Sequence, residues 1–254
     1  MAGRYRGYSP RTRAAGGMFG TGDIVKNLPS FSACYWHLDA GEIKSYSGSG
    51  TVVYDMSGAA LDSNLIATPT HTSGSAGYFS FNGSTQWIDP VLHNAPYATG
   101  GGATFFVVAD MTDAGSDAPF IALSIGPSNN NRRLALRRDG GNNEIEFVNN
   151  SVTGTTDWSV TSTSGLTYGS MASYAGTMDG ANAKVYMNGV ETGTTAATTV
   201  PANANRDEGG LAYDNASTDR WFTGDIAVAI IYNKGLTAEE ILQLHNIFAP
   251  RYSL

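Results

Sequence analysis

Glu144 and Glu146, in the run Glu144-Ile145-Glu146-Phe147-Val148-Asn149, have the spacing that puts two carboxylates on one face of a β-strand. Retaining glycoside hydrolysis needs two carboxyl groups about 5–5.5 Å apart, one as nucleophile and one as acid/base. The plainer reading of the run is a polar strand face with Ile145 and Phe147 turned inward. Oxygen donors gather again at Asp214, Asn215, Asp219 and Asp225, loop positions whose carboxylates and amide suit a Ca²⁺ ion. His37, His71, His93 and His245 stand at no metal-ligand spacing. Flat rings suited to stacking on sugars are present at Trp87, Trp158, Tyr168, Tyr213 and Trp221. Trp158, in the polar stretch TTDWSV, is the one expected to be exposed, and Trp158, Tyr168 and Tyr213 are the candidate glycan contacts.

The elements that must position these side chains read as β-strands. Residues 35–38 form the first strand, and 104–111 (TFFVVADM) and 119–125 are apolar on both faces, as core strands are. From Arg132 to Arg138 the chain alternates, with Leu134 and Leu136 inward and Arg133, Ala135 and Arg137 outward. Residues 170–195 form a meander. Asp179-Gly180 opens its first turn, and Asn188-Gly189 is a two-residue hairpin turn. Helical pattern is confined to the carboxyl end. There a strand places Ile226, Val228, Ile230 and Tyr232 on one face and Ala227, Ala229 and Ile231 on the other. Thr237 and Glu240 form a capping box, flanked by Leu236 and Ile241 as a hydrophobic staple. Ile241, Leu244, His245 and Phe248 then carry a helical stripe over 237–249, which Pro250 is expected to stop.

Composition narrows the classes. The 254 residues include 31 glycines and only 15% charged side chains, with 41% apolar residues to fill a sandwich core. No run of about 18 apolar residues exists to span a membrane. Cys34 is the single cysteine, so no intramolecular disulfide can form, and it is expected as a small buried side chain. No amino-terminal segment has the pattern of a signal peptide, so synthesis in a cytoplasm is expected, and the Asn-x-Ser matches at Asn82, Asn149 and Asn215 are discounted as glycosylation sites.

Charge is unevenly placed. Net charge is −7, yet residues 1–22 hold four arginines and no acid, which leaves −11 on the chain from Asp23 onward. Residues 1–32 are rich in Gly and Arg and bury too little apolar surface to fold alone, so they read as an extended arm. Arg4, Arg6, Arg11 and Arg13 with Tyr5, Tyr8 and Phe19 are its candidate partner contacts. Four arginines are a modest charge for nucleic acid, and docking on a neighbouring protein is the favoured reading.

Three stretches carry a family resemblance. G-D-I-A-x-x-x-I-Y-N-x-x-L-T-x-E-E-I, from Gly224 to Ile241, resembles the closing segment of laminin-G-like domains. Phe79-Ser80-Phe81-Asn82-Gly83-Ser84 followed by Trp87-Ile88 is similar to the family's F-x-F-D-G-S strand pair, with Asn82 in place of Asp. Lys184-Val185-Tyr186-Met187-Asn188-Gly189-Val190 is similar to its Y-V-N-G hairpin. The resemblance implies an all-β, two-sheet antiparallel jelly-roll sandwich of concanavalin-A-like type over residues 33–254. It also implies core places for Trp87 and Trp221, and the Ca²⁺ that such domains often hold near a sandwich edge. Laminarinase-like glycosidases of the superfamily carry E-x-D-x-x-E; here the last position is Asn149, so the implied acid/base is missing and no enzyme activity is expected.

Residues 38–58 also resemble openings of such domains in tailed-phage structural proteins. With the arm, that resemblance implies a non-enzymatic virion protein, foremost a capsid decoration protein. It would be tied by its arm to other virion proteins, above all the major capsid protein, and present as a homo-oligomer. The alternative is a glycan-binding module of a phage tail fibre or surface adhesin, with host-surface glycans as partners.

Overall fold

The computed structural model describes residues 30–90, 102–112, 117–124, 133–150, 156–166, 168–197, 209–215 and 220–254. The first nine strands are β1 (Cys34–Asp39), β2 (Val52–Val53), β3 (Ser63–Ile66), β4 (Thr70–Thr72), β5 (Tyr78–Asn82), β6 (Trp87–Pro90), β7 (Ala103–Met111), β8 (Ala118–Ser124) and β9 (Arg133–Asp139). There follow β10 (Glu144–Asn150), β11 (Trp158–Thr161), β12 (Ala172–Met178), β13 (Asn182–Met187), β14 (Val190–Ala196), β15 (Tyr213–Asp214), β16 (Arg220–Trp221) and β17 (Thr223–Tyr232). One helix, α1 (Ala238–Tyr252), closes the chain.

Eight strands make the first sheet, in the order β14-β13-β12-β7-β17-β5-β4 with β1 also paired to β17. The second layer is β2-β3-β6 and β11-β10-β9-β8. Leu211 joins those two parts, because its backbone bridges Ile88 of β6 on one side and Ile121 of β8 on the other. Gly210 makes that insertion possible: a Cβ there would lie 2.3 Å from the Ile88 carbonyl oxygen. Between the layers lies the main core, which includes Phe79, Phe105, Phe120, Leu136, Phe147 and Ile231. This is the two-sheet antiparallel sandwich that the family resemblance implies.

β17 is central, with β7 on one flank and β5 and β1 sharing the other. Both of its faces are buried, but their membership differs from simple alternation. A bulge between Ile226 and Val228 shifts the phase, so Ile226 joins Ala229 and Ile231 in the main core. Ala227, Val228, Ile230 and Tyr232 face the other way, into a second cluster with Leu236, Ile241, Leu244 and Phe248. Each large side chain fully buried there contributes about 1.5–3 kcal/mol of transfer free energy.

The helix begins as its capping box dictates. Glu240 N–H donates to Thr237 Oγ1 at 3.3 Å, and Thr237 N–H donates to Glu240 Oε2 at 2.9 Å. It does not stop at Pro250, as expected from the sequence, but runs on to Tyr252. In the last turn the missing proline N–H removes only one helical bond, and tertiary anchors hold the two residues beyond it. Arg251 Nη1 donates to Asp39 Oδ2 at 2.9 Å, and the Tyr252 hydroxyl donates to the Gly77 carbonyl at 3.2 Å.

Local signals set the turns. Asn82 fills the role of the family's Asp, its Oδ1 accepting from Ser84 N–H and Thr85 N–H at 3.0 Å each. Asn188 and Gly189, at φ 48° and 78°, form the β13–β14 turn, which sits against Leu242 and His245 of α1. Cys34 is buried, which pushes its thiol up to about 12. A 3-10 turn spans Phe31–Ala33, and both of its ends pack beside α1's cluster. The arm contacts Arg4, Tyr5, Arg6, Tyr8, Arg11, Arg13 and Phe19 lie outside the described residues, as does His93.

Candidate functional site

On the second layer, the side chains that alternate with the core residues turn to the outer face. There Arg133, Ala135 and Arg137 of β9 lie beside Glu146, Val148 and Asn150 of β10, in the register Glu146↔Arg137 and Asn150↔Arg133. Ala122, Ala135 and Val148 form a small apolar centre. Alternation makes these β9 residues outward, as the sequence implies, but they are buried, with Arg133 only 4% exposed. Their charges are matched in place. Arg137 Nε donates to Glu146 Oε2, whose other oxygen accepts from the Ser159 hydroxyl, and Arg137 Nη1 pairs with Asp117.

The β15–β16 hairpin is fixed to this face by more of the same. Asp214, fully buried, accepts from Ser124 Oγ at 2.7 Å and from Arg133 Nη1 at 3.0 Å. Arg220 spans two carboxylates, with Nη1 3.7 Å from Asp214 and Nε 3.2 Å from Asp117. Burial by itself pushes the Asp117 carboxyl up, but Arg137, the Gly140 N–H and Arg220 together hold it below the usual carboxylate range. For the Arg137 guanidinium burial acts downward, and Glu146 and Asp117 outweigh it and raise its pKa. The Arg133 guanidinium is pulled down by burial despite Asp214.

Cross-strand partners share a face, so Asp214 and Arg220 lie on one side of the hairpin and Tyr213 and Trp221 on the other. Tyr213 and Trp221 lie with ring centroids 4.4 Å apart and planes tilted by 33°, and Trp87 of β6 lies 5.0 Å from Tyr213 at 47°. Ala212, at φ 71°, turns the chain just before Tyr213. The result is a run of three half-buried rings drawn from three strands. It rests on the buried ionic base formed by Asp214, Arg133 and Arg220.

The sequence-derived candidates fall differently across the fold. Tyr213 belongs to the aromatic run. Trp158, expected to be exposed, is buried against Phe147 at 5.4 Å, because its strand β11 alternates Trp158 and Val160 into the core. Tyr168 is half-buried and tied by its hydroxyl to Asn143 and Arg138. Trp87 and Trp221, given core places by the family resemblance, instead flank Tyr213 at the surface. Their strand neighbours Ile88 and Phe222 take the core positions.

Of the proposed Ca²⁺ donors, Asp214 and Asp225 lie on different sheets. Asp214 faces two arginines on the second layer. Asp225 lies on the outer side of the first sheet, where it accepts from Ser80 Oγ at 2.6 Å and burial pushes its carboxyl up. Asn215 is half-exposed, and Asp219 lies outside the described residues. Among the described residues no group of three His, Cys, Asp or Glu converges as a metal site. Glu144 and Glu146 share the outer face, whereas Asn149 pairs with Leu134 and Trp158 on the core side. His245 packs as expected, its Nδ1 2.9 Å from Ser173 Oγ, and burial lowers its pKa.

The chain is thus a two-layer antiparallel β-sandwich with one carboxyl-terminal helix. Residues 72–242 match the family model Laminin_G_3, described as the concanavalin A-like lectin/glucanases superfamily, and the chain belongs to that family. A comparison with curated proteins finds no match. Solved structures with similar folds include the Trypanosoma rangeli sialidase in complex with 2,3-difluorosialic acid, at TM-score 0.54 and 16% identity over 84% of this chain. This chain spans 33% of that sialidase's length. The Ruminococcus gnavus IT-sialidase CBM40 bound to α2,3-sialyllactose aligns over 59% of this chain and 84% of its own, with TM-score 0.51 and 13% identity. The binding domain of botulinum neurotoxin DC in complex with rat synaptotagmin II gives TM-score 0.59 and 11% identity, over 85% of this chain and 52% of its own.

Proposed function

We propose that this domain is a non-catalytic glycan-binding module whose contact surface is the Trp87–Tyr213–Trp221 run. The observation that carries the reading is the run itself. Three rings from separate strands are held at stacking distance at the surface, although burying them would be favourable. An aromatic face is electron-rich and suits the polarised C–H face of a pyranose ring. The sandwich neighbours that include a sialyllactose-bound carbohydrate module support a saccharide over another flat ligand.

Two features favour binding without hydrolysis. Glu146 is held by Arg137 and Ser159, and Asn149 lies on the opposite strand face from Glu144 and Glu146. Glu144→Gln is expected to leave glycan binding unchanged, with no oligosaccharide cleavage by the parent protein.

The direct test is a glycan screen followed by titration of the best ligand against Trp87→Ala and Trp221→Ala. Binding is expected to fall about tenfold or more in each, the loss of one stacked ring. Equal affinity in both variants would sink the reading. The carrier of the module, whether a phage tail fibre, a surface adhesin or a capsid to which residues 1–32 dock, belongs to the same proposal. Co-sedimentation of full-length and truncated protein with candidate particles addresses it.

A further inference from the structure

We infer that the binding surface is longer than the three rings and takes an extended oligosaccharide rather than a single sugar, an inference that rests on the glycan-binding reading above. β6 pairs with β3 in the register Ile66↔Trp87 and Asn64↔Asp89. Residues directly opposite in an antiparallel pair share a face. Leu65 and Ile88 take the inward positions in the main core, so Ile66 and Asn64 lie on the face that carries Trp87. Ile66 is half-buried and Asn64 is exposed.

The row of rings therefore continues by one more apolar side chain, from Trp221 and Tyr213 through Trp87 to Ile66. The ring spacings are 4.4 and 5.0 Å. With a strand spacing of about 4.8 Å from Trp87 to Ile66, the row is about 14 Å long. That exceeds one pyranose ring. Asn64 adds what an apolar floor lacks. Its amide offers both donors and an acceptor, and such a group beside an apolar surface fixes the orientation of a hydroxylated ligand. Val52, opposite Asn64 on β2, is exposed on the same face.

The edge of this extension is held in place. Ala67 and Thr68, which follow Ile66, stand at φ 51° and 48°, a left-handed conformation that is unfavourable for residues with a Cβ. Gln86, next to Trp87, clamps that turn, its Nε2 donating to the Ala67 and Thr68 carbonyls at 3.3 and 3.0 Å. Ile66 and Trp87 are thus joined twice, by strand pairing and through the Gln86 amide, so their spacing is set before any ligand arrives. Strained backbone persists where its surroundings over-determine it, and it concentrates at ligand sites.

The test is a chain-length series. Cello-, chito- and galacto-oligosaccharides, from monosaccharide to hexasaccharide, are titrated against the full chain by isothermal titration and tryptophan fluorescence. Affinity is expected to rise with length until the row is covered and then to level off. Asn64→Ala, with its folding checked by thermal melting, is expected to weaken the longer members about threefold or more, the loss of one hydrogen bond. It should leave the monosaccharide unchanged. Monosaccharide and longer chains binding equally would overturn the inference while leaving glycan binding standing. So would an Asn64→Ala variant that binds the longer chains as tightly as the parent, or that loses the monosaccharide to the same extent. No binding by any member removes the glycan reading itself and the inference with it.

Discussion

On the outer face of the first sheet, Phe106, Val108, Val228, Ile230 and Tyr232 meet Ile241, Leu244 and Phe248 of α1 in a contact that is apolar at its centre and has polar anchors at Ser173 and Asp39. On the outer face of the second, Arg133, Arg137 and Glu146 meet Asp117, Asp214 and Arg220. The apolar centre of the first contact is non-directional. The second consists of charged hydrogen bonds with fixed partners, and it holds a two-strand hairpin in one orientation, with Tyr213 and Trp221 turned away from the sheet. Apolar burial suits a cover whose only task is stability. Directional pairing suits a support that must present a surface in a defined place, because each bond fixes distance and angle as well as energy.

The contrast can be broken at either end. Phe248→Ala removes the largest apolar side chain of the helix contact and is expected to cost about 3–5 kcal/mol in denaturant unfolding, while the folded fraction keeps its ligand affinity. Asp214→Ala strands Arg133 and Arg220 and is expected to cost about 3 kcal/mol. Unlike Phe248→Ala, it should also weaken ligand binding and change the tryptophan emission of the run. Adding Arg133→Met to Asp214→Ala should restore part of the stability, since a buried pair replaced by apolar side chains is often tolerated; no recovery would mean that Asp214 acts mainly through Ser124 and Arg220.

A smaller effect sharpens the helix side. Thr237→Ala removes the hydroxyl half of the capping box and is expected to cost about 1 kcal/mol, measured by thermal melting, with no change in binding. The least is expected from pH. Asp117 has a folded-state pKa below its unfolded value, so its contribution is complete above about pH 4 and is lost as pH falls through the lowered value. Tryptophan emission from the run should therefore shift on acidification before the helix signal in circular dichroism does. The reverse order would assign the weaker support to α1.

Much of the helix side was legible in the chain itself. Thr237 and Glu240 stand at capping-box spacing, and the Leu236–Ile241 staple and the stripe through Leu244 and Phe248 all act within one turn or face, so local spacing contains their geometry. The Asn188-Gly189 turn is equally local, because its two positive φ values are a demand on those two residues alone. Even here tertiary structure overruled two readings. The bulge at Ile226–Val228 moved one side chain across the sheet, and anchors on Asp39 and Gly77 carried α1 past Pro250.

The candidate site was not legible in this way. Trp87, Tyr213 and Trp221 are separated by 126 and 8 positions, and no local rule distinguishes them from Trp158. Alternation tells that neighbouring strand residues face opposite ways but leaves open which of the two is inward until the partner strands are known. The core took Ile88 and Phe222, and so left Trp87 and Trp221 outside; β11 took Trp158 inward. Likewise Arg133 and Arg137 announce an outward face by their type, but their burial depends on carboxylates 81 residues away at Asp214 and 20 away at Asp117. The sequence by itself determined the strands, turns and capped helix, because those arise from neighbours along the chain. Which aromatic rings face solvent, and which charges lie beneath them, only the packing of distant strands could decide.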